Sequence, residues 1–364
     1  MAAPACLWLV FGFSPEEAAG EPGPGPGPWR LEAGPEGISR VWPAWSYVVV
    51  ETGAGLEVRS AGLRRPLPGW AEALPSETHL VLRGAAAAVA WRREAALGAA
   101  LQGEPAWSRP LPPEPPWRRP LPLLPGGFAT PRPPFFTALP AGVRARRLVL
   151  GTEHALALGA AGEVFSWGGG RHGQLGHGQL EAELQPRLVE ALAGVPMRAV
   201  AAGGWHSASV SEAGDLYMWG WNESGQLALP SKALAEERAR DEDKGAGSTK
   251  LMPCQEQLAA QDAAFISIQA FPALLDLPQD LEVSMVSCGS RHTAVVTRGG
   301  ELYTWGWGKW HPCFGTVQPP WEQLLVPVLS PLALLSLYYS VYTGALVFPP
   351  HKHQEQLPCE APVS

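Results

Sequence analysis

The amino-acid sequence predicts an all-β protein, a β-propeller built from repeated hairpins. Three observations lead to this fold class: a segment that occurs three times, alternating apolar strands within that segment, and a composition rich in turn-forming and aromatic residues. The 364 residues include 41 Gly, 39 Pro and 16 Trp. Such a composition favours short aromatic strands joined by tight turns over long helices.

The repeated segment begins with Gly-x-x-His, and a Trp-Gly pair follows 13 residues after each histidine. The histidines are His154, His206 and His292, and the tryptophans are Trp167, Trp219 and Trp305. An apolar strand, a glycine turn and an aromatic strand lie between these ends, which is the pattern of a β-hairpin. Because one hairpin cannot bury both of its faces, we expect the copies to stack radially into a propeller.

A glycine-rich turn and a charged insert complete the repeat array. The first two copies continue with Gly173-Gln174-Leu175-Gly176 and Gly225-Gln226-Leu227-Ala228. The first two histidines are 52 residues apart, whereas the second and third are 86 apart. The excess of 34 residues falls in 231–264, where charged and small residues replace the aromatic pattern. We interpret this insert as a solvated loop between strands.

These motifs resemble the repeats of the regulator-of-chromosome-condensation family, which combine Gly-x-x-His, a glycine turn, an aromatic-Trp-Gly strand end and Gly-Gln-Leu-Gly. The resemblance covers residues 144–230 and 282–309 and is greatest to small members of the family that consist of little beyond the propeller. It implies about seven blades of four strands each. It also implies that a strand near one terminus, here within residues 7–13, closes the ring.

The sequence divides into six segments with different expected structures. We predict degenerate blades and the closing strand in 1–100, a Pro-rich loop in 101–140, well-formed repeats in 141–230, the charged insert in 231–264, a further repeat in 265–309 and an atypical tail in 310–364. One eroded copy places Ser46 at the histidine position and Arg59 at the tryptophan position. A second copy, with His79 and Trp91, is one residue out of register.

The carboxyl-terminal tail departs from the repeat pattern after Lys309. The next residues are Trp310-His311-Pro312-Cys313 instead of a Gly-Gln-Leu-Gly turn, and no further Gly-x-x-His hairpin follows. This break is typical of an alternative or read-through terminus. We therefore expect an incomplete final blade, a closing strand without its partner and an open ring. The uncharged run 326–348 is long enough to span a membrane, but its prolines argue against a span, and no membrane association is expected.

The Pro-rich segment contains two possible docking motifs. It holds 13 prolines, so we expect exposed, extended chain rather than central strands. Two stretches have the Arg-x-Leu-Pro-x-x-Pro form that fits an SH3 groove. Their key residues are Arg109, Pro112 and Pro115 in the first, and Arg119, Pro122 and Pro125 in the second. The alternative interpretation is a stiff loop between blades whose prolines are structural.

Several classes of function are not expected. The net charge of −7 and the lack of a basic block disfavour direct, sequence-specific nucleic-acid binding. The sequence shows no glycine-rich phosphate loop, no Gly-x-Ser-x-Gly elbow and no clustered metal ligands. The five cysteines lie too far apart for a zinc site or a disulfide framework, which favours a reducing compartment. We therefore predict no catalytic residue, no cofactor and no metal.

Candidate binding residues are those that differ between the copies. The constant histidines and tryptophans are interpreted as hairpin hydrogen bonding and core packing. The variable residues should lie on loops at one end of the propeller, where an acid, an indole and a guanidinium suit a polar protein partner. The predicted partner-binding residues are Glu153, Trp205, Arg291, Trp221, Asn222 and Trp307, with Arg171, His172 and Lys309 beside them.

The sequence and the family resemblance lead to one main hypothesis and two alternatives. The main hypothesis is a non-enzymatic interaction scaffold, nuclear and chromosome-associated with a cytosolic pool. The resemblance implies a chromatin-modifying partner, such as a JmjC-type oxygenase that demethylates histones, or a histone-containing complex. The first alternative is guanine-nucleotide exchange on a Ran-like GTPase, although this chain lacks the basic amino-terminal tail of the founding members. The second is an adaptor recruited by SH3 domains.

Overall fold

The computed structural model describes most of the chain between residues 37 and 306, together with short strands near both termini. The described ranges are 8–11, 29–31, 37–44, 47–60, 63–98, 101, 103–113, 119–231, 265–277, 281–306, 338–339 and 346–348. Strands dominate these ranges. No helix within them is long and apolar enough to cross a bilayer.

The strands of the amino-terminal half begin with β1 (Trp8–Phe11) and β2 (Trp29–Leu31). The first sheet contains β3 (Ile38–Pro43), β4 (Val48–Thr52), β5 (Gly55–Ser60) and β6 (Leu63–Leu67). The second sheet contains β7 (Trp70–Pro75), β8 (His79–Gly84), β9 (Ala87–Arg92) and β10 (Trp107–Pro110), with the helix α1 (Arg93–Leu97) after β9. The third sheet contains β11 (Leu123–Leu124), β12 (Gly127–Ala129) and β13 (Phe136–Ala138).

The carboxyl-terminal half contains the most regular sheets. The fourth sheet contains β14 (Ala145–Leu150), β15 (His154–Gly159), β16 (Val164–Gly168) and β17 (Glu183–Leu188), followed by the 3₁₀ helix η1 (Glu190–Leu192). The fifth contains β18 (Met197–Ala202), β19 (His206–Ser211), β20 (Leu216–Trp221) and β21 (Ile268–Leu274). The sixth contains β22 (Val283–Cys288), β23 (His292–Thr297) and β24 (Leu302–Gly306), and β25 (Tyr338–Tyr339) and β26 (Leu346–Phe348) follow.

The sheets form a ring in which the first strands of the repeat sheets lie innermost. Strand β3 contacts β7, β14 contacts β18, and β18 contacts β22. The terminal sheet has the order β2-β1-β26-β25, and β25 contacts both β22 and β3. Apolar clusters between neighbouring sheets form the core, as where Leu216 and Met218 of the fifth sheet pack with Val295 of the sixth. The predicted β-propeller is therefore confirmed, with seven sheets in the described residues, two of them three-stranded.

The terminal sheet corrects the expectation of an open ring. As predicted, a strand near the amino terminus closes the ring, because β1 pairs with β26 in the register Leu9↔Phe348. The expectation that this strand lacks a partner is wrong. Strand pairing requires only short segments of β-favouring residues, and Tyr338–Tyr339 and Leu346–Phe348 supply them without the repeat pattern.

The Pro-rich segment 101–140 is part of the ring rather than a loop throughout. It contains β10 and the whole third sheet, and its prolines lie mainly at strand ends and turns. The Glu72 carboxylate accepts a hydrogen bond from the Leu121 backbone N–H at 3.0 Å, and Arg83 donates to the Arg119 carbonyl at 2.6 Å. Leu124 is buried. The second sheet therefore holds this segment in place through buried polar groups.

The eroded copies are regular hairpins whose turns are one residue shorter. The pairing Val48↔Arg59 matches Ala155↔Trp167, so Arg59 occupies the tryptophan position as predicted. The histidine position belongs to Tyr47 and not to Ser46, because the Ala44 N–H bonds the Tyr47 carbonyl at 2.8 Å. This is the bond that Gly151 makes to His154.

The second eroded copy is in register as well. Leu80 pairs with Trp91 in the same way as Ala155 pairs with Trp167. The expected register error is therefore wrong. A fixed spacing of thirteen residues misplaces these copies because it includes the turn, whose length varies.

A repeated set of hydrogen bonds joins the fourth sheet to the fifth. The Nε2 atom of His154 lies 2.8 Å from the Ser207 hydroxyl, which itself donates to the Gln174 carbonyl at 2.8 Å. The Trp219 indole N–H donates to the same carbonyl at 2.9 Å. We call this set of a histidine, a hydroxyl, a glutamine carbonyl and an indole the interblade clasp. It connects the constant residues of one repeat with those of the next.

The same interblade clasp joins the fifth sheet to the sixth. His206 Nε2 lies 3.0 Å from the Thr293 hydroxyl, and the Gln226 carbonyl accepts from that hydroxyl and from the Trp305 indole at 2.7 and 2.9 Å. The predicted structural role of the histidines is therefore correct, but their hydrogen bond lies between sheets and not within a hairpin. Glycine is required at position 203 because a Cβ there would lie 2.3 Å from the His206 ring.

Other residues connect the sheets where the repeat pattern is absent. In the amino-terminal half the Tyr47 hydroxyl donates to the Ser76 carbonyl at 3.0 Å, and the Ser76 hydroxyl donates to the Pro131 carbonyl at 3.0 Å. At the opposite end of the ring, Arg146 donates to the Met197 carbonyl at 2.8 Å, and Arg198 donates to the carbonyl of Val283. These bonds fix a first strand, or the loop that follows it, to the next sheet.

The first prediction concerns the indole of the interblade clasp. Trp219 has no solvent exposure, and its loss creates a cavity and removes a bond to Gln174. We expect Trp219→Ala to lower the free energy of unfolding by about 3–5 kcal/mol in urea denaturation. The matched control is Trp221→Ala on the same strand, where the tryptophan is partly exposed and a smaller loss is expected. Equal losses in the two variants would contradict the assignment.

Candidate functional site

The variable residues of the repeat meet at one end of the propeller. The pairings His154↔Gly168, His206↔Gly220 and His292↔Gly306 bring the start of each second strand beside the end of each third strand. The loops that precede the histidines therefore lie next to the segments that follow the Trp-Gly pairs. Sequence analysis predicted binding residues in both places, and the register explains why they form one surface.

Three aromatic rings and one guanidinium from adjacent sheets form this surface. Trp205 and Trp221 meet edge to face, with ring centroids 5.4 Å apart. The His172 ring, which comes from the fourth sheet, lies 5.7 Å from each of them. The Arg291 guanidinium of the sixth-sheet loop lies 4.9 Å from the Trp221 ring centroid. We call these four residues the aromatic-arginine surface.

The aromatic-arginine surface is preorganised by ring contacts. Its three rings touch one another, so they form a packed patch and not an open aromatic cage. The stacked guanidinium of Arg291 is exposed, whereas the two tryptophans are half-buried. Partial burial lowers the pKa of His172, and the nearby Arg171 lowers it further. The neutral form of this imidazole is therefore favoured between the two indoles.

Glu153 lies beside this surface and is paired. Arg171 donates a hydrogen bond to the Glu153 carboxylate at 2.6 Å, and both side chains are accessible to solvent. An exposed pair of this kind contributes about 0–1 kcal/mol to stability. Its main effect is to orient the two side chains at the edge of the aromatic-arginine surface.

Asn222 is not available to a partner, which corrects one predicted binding residue. Its side chain is fully buried, and its amide donates to the carbonyls of Leu229 and Ile266 at 3.1 and 2.9 Å. Its side-chain oxygen accepts from the Leu227 N–H at 2.9 Å. All of these partners are backbone groups, so the role of Asn222 is to hold the turn. Sequence reasoning could not separate this role from binding because Asn occurs in both.

The two ends of the charged insert are held together by hydrogen bonds, among them two from Asn222. The Ile266 N–H donates to the Pro230 carbonyl at 2.9 Å, so the chain leaves and returns at one point. Asn222 bonds both sides of this closure. Residues 232–264 of the insert lie outside the described residues, and so do the predicted binding residue Trp307 and its neighbour Lys309.

The two Pro-rich motifs differ in accessibility. In the second motif Pro122 is buried and Arg119 and Pro125 are exposed, and the following leucines form β11. An SH3 ligand must be extended and exposed, and this motif is folded into the ring. In the first motif Arg109 belongs to β10, with its guanidinium 3.6 Å from the Phe136 ring centroid. Pro112 is exposed, and Pro115 lies outside the described residues.

The two clasp histidines, His154 and His206, are uncharged at neutral pH. Burial lowers the pKa of His154 and of His206 to about 3. Since the hydroxyl proton of Ser207 points to the Gln174 carbonyl, His154 must donate its Nε2 proton to that hydroxyl. Both histidines are buried, so neither can serve as a general base for a bound substrate. Among the described residues no cluster of three or more His, Cys, Asp or Glu side chains could hold a metal ion.

The ring of repeated hairpins and the clasp between them define a repeat propeller of one particular class. The sequence profile of the Regulator of chromosome condensation (RCC1) repeat matches residues 161–210 and 213–296, and a second profile of this repeat matches 197–226. The chain therefore contains RCC1 repeats, and the resemblance inferred from the Gly-x-x-His and Trp-Gly motifs is confirmed.

Relatives and solved structures agree with this class. RCC1 domain-containing protein 1 of Homo sapiens is 61% identical over 190 residues, which make up 50% of this chain and 50% of the relative. Ultraviolet-B receptor UVR8 of Arabidopsis thaliana is 36% identical over 179 residues, 48% of this chain and 33% of that receptor. The match thus spans half or less of these relatives. The crystal structure of Prp20p from Saccharomyces cerevisiae, at 14% identity, covers 96% of this chain and 92% of Prp20p with a TM-score of 0.62, which supports the fold alone.

The second prediction concerns acid stability. In the unfolded chain the clasp histidines bind protons below a pKa of 6.5, whereas in the folded protein they do so only near pH 3. The unfolded state then binds more protons between these values. We expect the free energy of unfolding to fall as the pH drops from about 6.5 towards 3, by about 1.4 kcal/mol per pH unit for each histidine.

Urea denaturation at a series of pH values measures this dependence. The variant His206→Gln lacks one of the two titrating groups and should show a shallower pH slope, whatever its stability at neutral pH. His172→Gln is the control, because His172 lies at the surface and should change the slope less. A slope that is the same in wild type and His206→Gln would disprove the buried neutral histidine.

The third prediction concerns the closure beneath the insert. Asn222→Ala leaves one buried and two partly buried backbone groups without their partner, and we expect it to lower the free energy of unfolding by about 2–3 kcal/mol. Limited proteolysis within 231–264 should become faster. The neighbouring exposed Glu223 provides the control variant Glu223→Ala, for which neither change is expected. Unaltered stability of Asn222→Ala would show that the amide is dispensable.

Proposed function

We propose that this chain is a non-enzymatic protein-interaction scaffold that presents the aromatic-arginine surface to a protein partner. The observation that carries the proposal is the convergence of Trp205, Trp221 and Arg291 from adjacent parts of the repeat array, at positions where the copies differ. Tryptophan and arginine are enriched among residues that dominate binding energy. The constant interblade clasp holds the loops that carry these variable residues in place. Binding therefore loses little conformational entropy.

The partner proposed is a chromatin-modifying protein in the nucleus, with a cytosolic pool of the scaffold. A JmjC-type oxygenase that demethylates histones, or a histone-containing complex, fits the family resemblance. The RCC1 repeats support a chromosome-associated role, and the yeast Prp20p structure was described with its binding properties to Gsp1p and histones. With a net charge of −7, contact with such a complex would run through protein rather than through DNA.

The second candidate function is nucleotide exchange on a Ran-like GTPase. It is favoured by the agreement in fold over nearly the whole length of Prp20p, the protein described with Gsp1p binding. An SH3-recruited adaptor is a weaker candidate, because Pro122 is buried and the next two leucines form β11, so the second motif is not free to lie in an SH3 groove.

The fourth prediction tests the aromatic-arginine surface. We expect Trp205→Ala to weaken binding of a purified JmjC-type histone demethylase by about 2 kcal/mol or more, close to 30-fold, because it removes a central anchor. Arg291→Glu should weaken binding as well. Both variants should remain folded with at most a small loss of thermal stability, since neither side chain belongs to the buried core. Calorimetric titration of the purified proteins gives the affinities.

Arg144→Glu is the matched control, because it makes the same charge change at an exposed arginine that precedes β14 at the opposite end of the ring. It should bind like the wild type. Equal affinities for all variants would place the interface elsewhere. Accelerated nucleotide release from a Ran-like GTPase, abolished by Arg291→Glu, would instead favour the exchange function.

A further inference from the structure

The exposed apolar side chains of this protein are concentrated on two neighbouring sheets. Six large apolar residues are exposed among the described residues, and all of them lie in or beside the outermost strands of the fourth and fifth sheets. They are Leu180, Leu184, Phe265, Ile268, Phe271 and Leu274. We call these six residues the apolar rim patch. Single exposed apolar residues are ordinary, but such concentration marks an interaction surface.

Direct contacts between the two sheets bring the residues of the patch together. The Gly178 N–H donates to the Ala270 carbonyl at 3.0 Å, and the Phe271 ring packs so closely on Gly178 that a Cβ there would overlap it. Ile268 packs against Gly173 in the same way. The short helix η1 contacts β21 at the other side. The outer walls of the two sheets are therefore continuous.

Several side chains of the patch are far more exposed than residues that pack in the core. Leu184 is 90% exposed, Leu274 is 56% exposed and Phe271 is 54% exposed. These side chains contribute little to the core, so burial by the fold does not explain why they are apolar. Pro272 interrupts the edge of β21 and removes one N–H from it, which disfavours addition of a further strand by backbone pairing. Side-chain docking is the mode that this edge allows.

Acidic side chains border the apolar rim patch. Glu181 precedes β17, Glu190 begins η1, and Asp276 follows β21 by two residues. All three are exposed, and no salt bridge to another described residue neutralises them. Glu183, in contrast, is paired with Arg187 at 2.6 Å. The border of the patch is therefore negative, which selects a positively charged partner.

We propose that the apolar rim patch docks a basic amphipathic segment of another protein, with apolar side chains on the patch and lysine or arginine against the acidic border. A second copy of this chain is a poor occupant, because it would place acidic borders against each other. Within the patch, Ile268 pairs with Trp221, and β21 runs from there down the outer wall away from the aromatic-arginine surface. The proposal does not depend on the proposed function, since Leu184 and Leu274 lie outside that surface.

The test uses the full chain and two labelled peptides. One is an amphipathic peptide of leucine and lysine about 18 residues long, and the other has glutamate at every lysine position. Fluorescence anisotropy should show binding of the lysine peptide that weakens as salt is raised, and much weaker binding of the glutamate peptide. Equal binding of the two peptides, or no binding of the lysine peptide, overturns the proposal.

Two variants and one control locate the binding. Leu184→Asn combined with Leu274→Asn should weaken binding of the lysine peptide about tenfold or more without changing the melting temperature. Asp276→Lys should weaken it several-fold, whereas the exposed and distant Glu104→Lys, which makes the same charge change, should not. Wild-type affinity in the leucine double variant overturns the proposal, and so does an equal effect of the two charge variants.

Deletion of residues 232–264 tests whether the apolar rim patch binds another protein or is occupied by the insert of this chain. The hydrogen bond between Ile266 and Pro230 closes the base of this segment, so a short glycine-serine linker can replace it. The excised chain should bind the lysine peptide with the affinity of the full chain. Binding by the excised chain alone would show that the insert occupies the patch, which overturns the proposal.

Discussion

The interblade clasp is the interaction on which the rest of this structure depends. A neutral histidine of one sheet bonds a hydroxyl of the next, and this hydroxyl and an indole N–H both donate to one glutamine carbonyl among buried residues. These hydrogen bonds matter because the same donors and acceptors would be costly to leave unpaired in a low-dielectric interior. The clasp therefore fixes the angle between neighbouring sheets and requires the histidine to stay uncharged. It also explains why histidine, tryptophan and the Gly-Gln-Leu turn recur together.

The residues of the interblade clasp are different from the residues that form the two proposed binding surfaces. Because clasp residues hold each loop at both ends, the residues between the glycine and the histidine can change without loss of the fold. Trp205 and Arg291 occupy these positions and meet around Trp221. The outer strands are also outside the clasp, and it is there that the apolar rim patch lies. The residues that hold the fold and those of the proposed binding surfaces are therefore different residues of one repeat, as is usual for repeat proteins.

Sequence reasoning located the hairpins and most of the candidate surface, and it failed where side chains with two possible roles had to be assigned. Asn222 was predicted to bind a partner, but its amide bonds three backbone groups below the surface. Ser46 was assigned the histidine position, which Tyr47 occupies because the turn is shorter. Glu72 and Arg83 of the second sheet form hydrogen bonds to the backbone of the Pro-rich segment next to β11. The local sequence of that segment could not predict these long-range contacts.

The sequence by itself determined the all-β class, the hairpin repeats and their RCC1 character, because these depend on local periodicity and on recurring glycine positions. Only the tertiary structure decided which residue of one sheet bonds which residue of the next, and so placed His172 of the fourth sheet against two tryptophans of the fifth. These contacts join residues of neighbouring sheets or distant loops, and their geometry follows from how the sheets pack around the ring. Packing across the ring is a property of all the sheets together, which no single repeat encodes.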